Sequence, residues 1–261
     1  MLFYDCPEAY DLFYNENYRN ATKDFFKILF KNKPVKSILD CTAGTGQTAM
    51  PLTQLGYDLT LSDINKNMLK KAKVNFAEAE LMANFVNSDI LNISNKIKRK
   101  FDVVMSSGNS LAHVKNIDLT AAIGQMDSVL NSGGYLYFDT RNWDLILKRK
   151  QRFYLFNPII RDKGRVNYIQ VWDYNRDGSM TFNFLIFEEI ENKIVSKRQF
   201  YVIYHPFTVD FISSILRDTY HYQDIKIFKM GNPRDTDISE SNWYSVFARK
   251  PFNEELENLK K

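Results

Sequence analysis

The sequence is poor in cysteine, histidine and glycine. Among its 261 residues there are 2 Cys, 3 His and 10 Gly. The two cysteines, Cys6 and Cys41, cannot build a disulfide framework, and no Cys/His cluster has the spacing of a zinc site. We therefore expect no metal centre, and a chain that folds around a hydrophobic core in a reducing compartment.

A strong net charge and a membrane-directed segment are also missing. The formal net charge of +4 at pH 7 is too small to indicate a nucleic-acid partner. No stretch approaches the roughly 18 apolar residues of a spanning helix, and the first residues lack the basic and apolar regions of a signal peptide. These absences predict a cytoplasmic protein with neither a nucleic-acid nor a membrane partner, and they leave its oligomeric state open.

Hydrophobic residues make up 44% of the chain, enough for one large α/β domain with a real core. The N-terminal segment, about 8–32, has partly helical spacing of its apolar residues. Five short apolar segments then predict strands, at 35–39, 58–62, 83–87, 101–106 and 134–139. Helical stretches lie between them, at 48–55, 65–79 and 119–130. Strands that alternate with helices predict βαβ units, right-handed crossovers and a mostly parallel sheet.

After Asn142 the pattern changes to longer, alternating runs. Three of these predict strands, at 166–174, 180–190 and 194–204. Arg176-Asp-Gly-Ser separates the first two and is a hairpin turn signal. The sequence then predicts a helix at 209–219, capped by Thr208. Two strands follow, at 222–229 and 243–249. We expect an antiparallel insertion over these runs and a frayed, charged tail after Pro251.

A glycine-containing loop, Asp40-Cys-Thr-Ala-Gly44-Thr-Gly46, follows the first predicted strand and precedes a helix. Glycines let the backbone approach a ligand, and a helix N-terminus offers free amide groups. Asp63 ends the next strand, at the spacing where a carboxylate can accept hydrogen bonds from ribose hydroxyls. These features predict a nucleoside site, although Asp63 could instead cap the following helix.

Two residues indicate whether this loop binds a dinucleotide or a sulfonium cofactor. Gln47 occupies the place of the third glycine of a dinucleotide loop. Asp40 puts a carboxylate at the strand end, where it would repel a pyrophosphate and attract a cation. The loop therefore favours S-adenosylmethionine.

These segments resemble the class I S-adenosylmethionine-dependent methyltransferases. Ile38-Leu-Asp-Cys-Thr-Ala-Gly-Thr-Gly is similar to their first motif, and Leu61-Ser-Asp-Ile-Asn-Lys-Asn-Met-Leu to their second. Asn87-Ser-Asp-Ile resembles the segment that flanks the adenine, and Phe101-Asp-Val-Val-Met-Ser-Ser-Gly resembles the motif of the fourth strand. The resemblance covers about 35–140 and again 207–249.

The resemblance implies an α/β fold with a doubly wound, mostly parallel, seven-stranded Rossmann-like sheet and an antiparallel β insertion after strand five. It divides the chain into an N-terminal helical lid at 1–34, a core at 35–145 and 205–250, and a substrate cap at 146–204. S-adenosyl-L-methionine is the implied cofactor, with S-adenosyl-L-homocysteine as its product. The implied cofactor residues are Asp40, Ala43, Gly44, Thr45, Gly46, Asp63, Ile64, Met68, Asp89, Ile90, Ser107 and Arg19.

Two further segments, Gly108-Asn-Ser-Leu-Ala-His and Phe138-Asp-Thr-Arg-Asn-Trp-Asp-Leu-Ile-Leu, resemble the glycine N-methyltransferases and their relatives. In that group the Asn helps to place the substrate amine and the Arg pairs with the substrate carboxylate. Here these roles fall on Asn109 and Arg141, whose guanidinium suits a carboxylate because it can donate two parallel hydrogen bonds. The other implied acceptor-site residues are His113, Tyr14 of the lid and Tyr204 of the insertion.

The sequence leaves other roles open for these residues. Arg141 could form a salt bridge with Asp139 or Asp144, Asn109 could be a turn residue, and His113 could simply pack at a helix start.

Two observations bear on the acceptor. Phe184 stands where the glycine-type enzymes are expected to have a tyrosine, which weighs against glycine itself. The fourth strand ends in Ser106-Ser-Gly-Asn, without the Asn/Asp-Pro-Pro-aromatic tetrad of nucleobase amine methyltransferases. We therefore predict a methyltransferase with a small-molecule acceptor, foremost the amine of a glycine-like amino acid. A hydroxyl of a natural product, a macromolecular acceptor and a non-catalytic S-adenosylmethionine-binding module remain alternatives.

Overall fold

The computed structural model describes residues 3–259, which form two β-sheets and their surrounding helices. The strands are β1 (Ser37–Asp40), β2 (Asp58–Asp63), β3 (Asn84–Asn87), β4 (Phe101–Ser106), β5 (Leu130–Arg141), β6 (Phe153–Leu155), β7 (Ile159–Arg161), β8 (Gly164–Tyr174), β9 (Met180–Ile190), β10 (Lys193–Tyr204), β11 (Gln223–Lys229) and β12 (Trp243–Arg249). The α-helices are α1 (Pro7–Asp11), α2 (Glu16–Leu29), α3 (Ala49–Gln54), α4 (Lys66–Glu78), α5 (Ile93–Lys96), α6 (Asn116–Ser128), α7 (Trp143–Arg149), α8 (Val209–Ser214) and α9 (Asn253–Leu259). Within these residues, no helix has the length and apolar character that a membrane crossing requires.

The larger sheet has seven strands in the order β11-β12-β5-β4-β1-β2-β3. The neighbours from β5 to β3 pair in parallel, and β12 runs antiparallel to both β5 and β11. The strand order reverses between β1 and β4, so a crevice opens beyond the carboxyl ends of these two strands. The predicted fold class is confirmed.

The central strands β1 and β4 are apolar in their middle, as expected where helices cover both faces of a sheet. Ile38 and Leu39 of β1 are fully buried, as are Val103, Val104 and Met105 of β4. This buried centre holds the carboxyl ends of β1 and β4 rigidly, which is where side chains must be fixed if they are to bind a ligand.

The smaller sheet has the order β10-β9-β8-β6, and β7 also pairs with β8. Its inner face packs on the main core through Trp143, whose ring centroid lies 5.9 Å from Phe182 and 5.6 Å from Tyr204. The antiparallel insertion after β5 is therefore present, and its inner face adjoins the end of β5. The division of the chain into lid, core and cap stays a prediction.

Three local predictions differ from the structure. The N-terminal helical segment is two helices, because Asn15 is extended and its side chain accepts a hydrogen bond from the Tyr18 amide to begin α2. Up to residue 259 the tail is not frayed but forms α9, where Glu255 accepts a hydrogen bond from the Phe252 amide and pairs with Arg249. The helix after Thr208 changes to a π-type turn at Ile215–Thr219.

Candidate active site

A cavity of about 480 Å³ opens at the carboxyl ends of β1, β2 and β4. Its volume lies within the usual range for a small-molecule site. Seven of the residues predicted for the site line it: Gly44, Asp63, Ile64, Met68, Asp89, Ile90 and His113. The predicted cofactor residues of the first three motifs are thus largely brought together.

Asp63 joins the loops that follow β1 and β2. One carboxylate oxygen accepts a hydrogen bond from the Gly44 amide at 2.8 Å, and the other accepts one from the Asn65 amide at 2.8 Å. Asn65, not Asp63, caps α4, since its side chain accepts from the amides of Asn67 and Met68. The helix-cap alternative for Asp63 is therefore wrong, and its carboxylate faces the cavity at the turn of the glycine loop.

Ala43, Thr45 and Gly46 share this loop with Gly44 but do not line the cavity. The Thr45 carbonyl accepts a hydrogen bond from Asn75 of α4, and Gly46 packs against the Phe76 ring of the same helix. These residues shape the loop from its buried side, so any contribution to ligand binding is through the backbone.

We expect Gly46→Ala to destabilise the fold more than Gly56→Ala. Both glycines have a left-handed φ, +80° and +88°, which an alanine adopts only with strain. A Cβ at Gly46 would also lie 2.8 Å from Phe76, whereas one at Gly56 would meet nothing within 4 Å. Urea unfolding should show a loss of about 1–3 kcal/mol for Gly46→Ala beyond the control. Equal losses would mean that the Phe76 ring moves aside freely.

Asp40 and Ser107 lie behind the cavity wall. Asp40 is fully buried, and one of its oxygens accepts a hydrogen bond from the Thr42 amide at 3.1 Å. Burial raises the pKa of Asp40 to about 7, and the charges of Asp63 and Asp139 act in the same direction. A nearby cation would stabilise its ionised form.

The far end of the cavity is also acidic. Asp89 begins a short 3-10 helix, where its side chain accepts from the Leu91 amide. Asp118 and Lys115 line the cavity beside it and were missed in the sequence, because they lie outside the motifs. With Asp63, the lining therefore has three carboxylates and one ammonium group, which disfavours a phosphate-rich ligand.

The N-terminal segment covers the cavity. Tyr4 and Tyr10 line it, and Tyr14 reaches it indirectly by donating a hydrogen bond to the Tyr10 hydroxyl at 2.7 Å. Arg19 donates two hydrogen bonds, at 3.0 and 3.1 Å, to the side-chain oxygen of Gln47 in the loop after β1. Arg19 thus lies against the glycine loop, although it does not line the cavity.

His113 connects this segment to the insertion. Its Nδ1 lies 3.2 Å from the Ile203 carbonyl, which can only accept, so Nδ1 carries the proton and Nε2 accepts from the Tyr4 hydroxyl at 2.9 Å. The Tyr204 hydroxyl lies 3.5 Å from that of Tyr4, and the Tyr204 ring packs on His113 with centroids 4.7 Å apart. Burial lowers the pKa of His113 to about 4, so the ring is neutral at pH 7 and orients Tyr4.

Asn109 is fixed by its amide oxygen. This oxygen accepts from the Thr140 hydroxyl at 2.8 Å and from the Arg141 amide at 3.0 Å. The side chain is 1% exposed, and within residues 3–259 its nitrogen has no hydrogen-bond partner. The turn alternative is partly right, since Asn109 has a left-handed φ of +66°. Because the oxygen is already used, the free group of Asn109 is a donor.

Arg141 lies at the end of β5 inside an aromatic cage. Its guanidinium carbon lies 4.9–5.9 Å from the centroids of four rings: Trp243, Phe182, Trp172 and Tyr154. Its guanidinium donates a hydrogen bond to the neutral side chain of Gln170, at 3.3 Å. No sequence motif predicts the cage, although a polar Gln170 in the inward-facing row of β8 is the one signal that points to it.

The salt-bridge alternative for Arg141 is wrong. Asp139 accepts from the Gly108 amide and the Tyr137 hydroxyl, and Asp144 accepts from the Val209 amide. None of the ion pairs among residues 3–259 includes Arg141. The side chain is 7% exposed, and burial lowers its pKa, yet an arginine keeps its charge. The end of β5 therefore contains a buried cation without an anionic partner among the described residues, and Arg141 does not itself line the cavity.

Comparison with known proteins agrees with this geometry. Residues 38–134 match a family model described as a methyltransferase domain, which confirms the predicted resemblance to methyltransferases over this part of the chain. A glycine/sarcosine N-methyltransferase from Aphanothece halophytica is 32% identical over 153 residues, 56% of this chain and 58% of that protein. Human glycine N-methyltransferase is 28% identical over 134 residues, 46% of this chain and 45% of that protein. The chain thus spans about half the length of these curated relatives.

Matches to solved structures cover a larger share of the chain than the matches to curated relatives do. An amino pentose methyltransferase from Micromonospora echinaspora has a TM-score of 0.73 at 12% identity, and the match covers 96% of this chain and 98% of that one. An S-adenosylmethionine-dependent methyltransferase from Clostridium acetobutylicum has a TM-score of 0.73 at 18% identity, covering 89% and 92%. At these identities the likeness establishes the fold alone.

Proposed function

We propose that this chain, which carries a methyltransferase domain of the S-adenosylmethionine-dependent type, methylates the amine of a small acceptor that bears a carboxylate. A glycine-like amino acid is the simplest such acceptor. The relatives named glycine/sarcosine N-methyltransferase are consistent with this class.

The observation that carries the proposal is the buried, unpaired guanidinium of Arg141. Burying a charge without a partner is costly, so a fold that retains one gains when an anionic ligand binds. Four aromatic rings stabilise the cation but leave its hydrogen-bonding capacity largely unused. A carboxylate would use it through two parallel bonds.

Asn109 supports the same acceptor class. Its free nitrogen is a donor next to the Arg141 backbone, so we assign it to a carboxylate oxygen of the acceptor. The resemblance implies instead that this Asn places the amine, a role that its occupied oxygen is poorly suited to fill. With Asn109 and Arg141 both on the carboxylate, the amine is left to point toward the cofactor.

The first cavity fits S-adenosylmethionine better than a dinucleotide. Its lining has three carboxylates and one lysine, which suits a sulfonium and not a pyrophosphate. We assign the ribose diol to Asp63, beside the glycine loop, and the adenine to the end near Asp89. The cofactor, when bound, supplies a methyl group on an electrophilic sulfonium.

The chain itself contributes position and exclusion of water. Tyr4 and Tyr10 cover the cavity, and His113 fixes the direction of the Tyr4 hydroxyl. A carboxylate held by Arg141 and Asn109 would present its amine in one orientation, and holding reactants in line accounts for much of the acceleration in such a transfer.

A screen with labelled methyl donor tests the proposal. Each amino acid is paired with its decarboxylated amine, and phenols and alcohols form a third group. We expect label in one or more amino acids and much less in the matched amines. Transfer to a phenol or an alcohol would overturn the acceptor class but keep the methyltransferase. Failure to bind adenosylhomocysteine would overturn the cofactor assignment.

A further inference from the structure

A second cavity, of about 430 Å³, lies on the face of the large sheet that α2 covers. It is bounded by α2, the carboxyl half of β5, β6, and the chain between β11 and β12. None of its lining residues lines the first cavity. The proposed function does not use it.

The walls of this cavity are aromatic, and one carboxylate lies among them. The rings come from α2, β5, β6 and β12: Tyr18, Phe25, Phe26, Tyr137, Tyr154 and Trp243. The carboxylate belongs to Asp139, which is 3% exposed. No lysine, arginine or histidine is among the lining residues.

Asp139 has hydrogen bonds but no counter-ion. It accepts from the Gly108 amide at 2.7 Å and from the Tyr137 hydroxyl at 3.1 Å. In the described part of the chain, no ion pair includes it. A buried carboxylate of this kind gains from a nearby cation.

Two of the rings already contact a cation. The Arg141 guanidinium carbon lies 4.9 Å from the Trp243 centroid and 5.9 Å from that of Tyr154, and Arg141 itself does not line the cavity. The faces of aromatic rings attract cations, and rings grouped around one space recognise quaternary ammonium groups.

We infer that the second cavity is a binding site for a methylated ammonium ion, with the aromatic walls around its methyl groups and Asp139 as its counter-ion. Six rings and one carboxylate suit a cation whose charge is spread over methyl groups. A primary ammonium ion would need acceptors for its three N–H groups, and the lining has one carboxylate. Arg141 opposes a cationic ligand, but it is farther away than Asp139, which is a direct neighbour, and charge interactions weaken with distance. The site differs from the proposed acceptor site, which binds an anionic group.

Calorimetric titration with tetramethylammonium chloride tests this site, with sodium chloride as the blank and both with and without adenosylhomocysteine. We expect saturable binding that adenosylhomocysteine does not displace. Asp139→Asn should weaken it at least tenfold. Ala21→Trp, an exposed change at the cavity wall, should weaken it similarly, whereas Ala77→Trp on the exposed face of α4 should not.

Arg141→Gln separates this site from the acceptor site. It removes a nearby positive charge, so tetramethylammonium should bind as well or better, whereas a carboxylate acceptor should bind less well. The inference fails if wild type shows no saturable binding, if adenosylhomocysteine displaces the probe, or if Ala21→Trp binds as wild type does. Loss of adenosylhomocysteine binding alone would count against the proposed function and leave this inference standing.

Discussion

Arg141→Lys is expected to raise the KM for the acceptor tenfold or more while the affinity for the cofactor stays nearly constant. Lysine keeps the charge, but it cannot donate two parallel bonds to a carboxylate or stack flat against the rings that surround Arg141. A tenfold rise corresponds to about 1.4 kcal/mol of lost binding to the transition state and ground state alike. Steady-state kinetics with the identified acceptor, and calorimetry with adenosylhomocysteine, measure the two quantities.

Arg149→Lys is the matched control for this variant. Arg149 lies on α7, which follows β5 directly, and it is in an exposed ion pair with Glu240. The same substitution there should leave the KM unchanged. If Arg141→Lys also leaves it unchanged, or if the acceptor carries no anionic group, the carboxylate proposal is wrong and the methyltransferase assignment stands without it.

Asp63→Ala should weaken adenosylmethionine binding by about 1–3 kcal/mol, because it would remove charge-assisted hydrogen bonds to the ribose diol. The carboxylate also holds the Gly44 amide, so the loop loses a hydrogen bond at the same time. Asp63→Asn separates these effects in part, since its single amide oxygen can still accept from the Gly44 amide while the charge and the second acceptor oxygen are lost. Calorimetry on the folded variants gives both affinities.

Asp58→Ala serves as the control. Asp58 lies at the amino end of the same strand, away from the cavity, and pairs with Arg99. The affinity of this variant for the cofactor should equal that of wild type. An unchanged affinity in Asp63→Ala would show that the ribose does not lie at the end of β2, and the second motif would then need another interpretation.

The proposed cofactor half of the site was predictable because its signals are local. A buried strand, a glycine loop and an acidic residue at the next strand end lie within residues 38–63, and parallel strands bring their carboxyl ends to one edge. The positions of Gly44, Asp63 and Met68 around one cavity follow from that pattern. The boundaries of β1, β2 and β4 were predicted to within two residues for the same reason.

The proposed acceptor half was less predictable because its contacts are distant in sequence. Arg141 could be identified, but the rings around it come from β6, β8, β9 and β12, whose register no local pattern fixes. The free donor of Asn109 depends on two hydrogen bonds that occupy its oxygen. Strand register and side-chain hydrogen bonds of this kind determine which groups are free to bind a ligand, and a local sequence pattern does not reveal them.

The pairing of Arg141 with Trp243 across β5 and β12 also bears on how the protein folds. The strands around the first cavity are β1, β2 and β4, which lie close together in the chain, so their contacts close short loops and carry a small entropic cost. The guanidinium, in contrast, meets one of its four rings only when a strand about one hundred residues later joins the sheet. During synthesis from the N-terminus, the strands around the first cavity can therefore form early, while the aromatic cage around Arg141 is complete only when β12 joins the sheet.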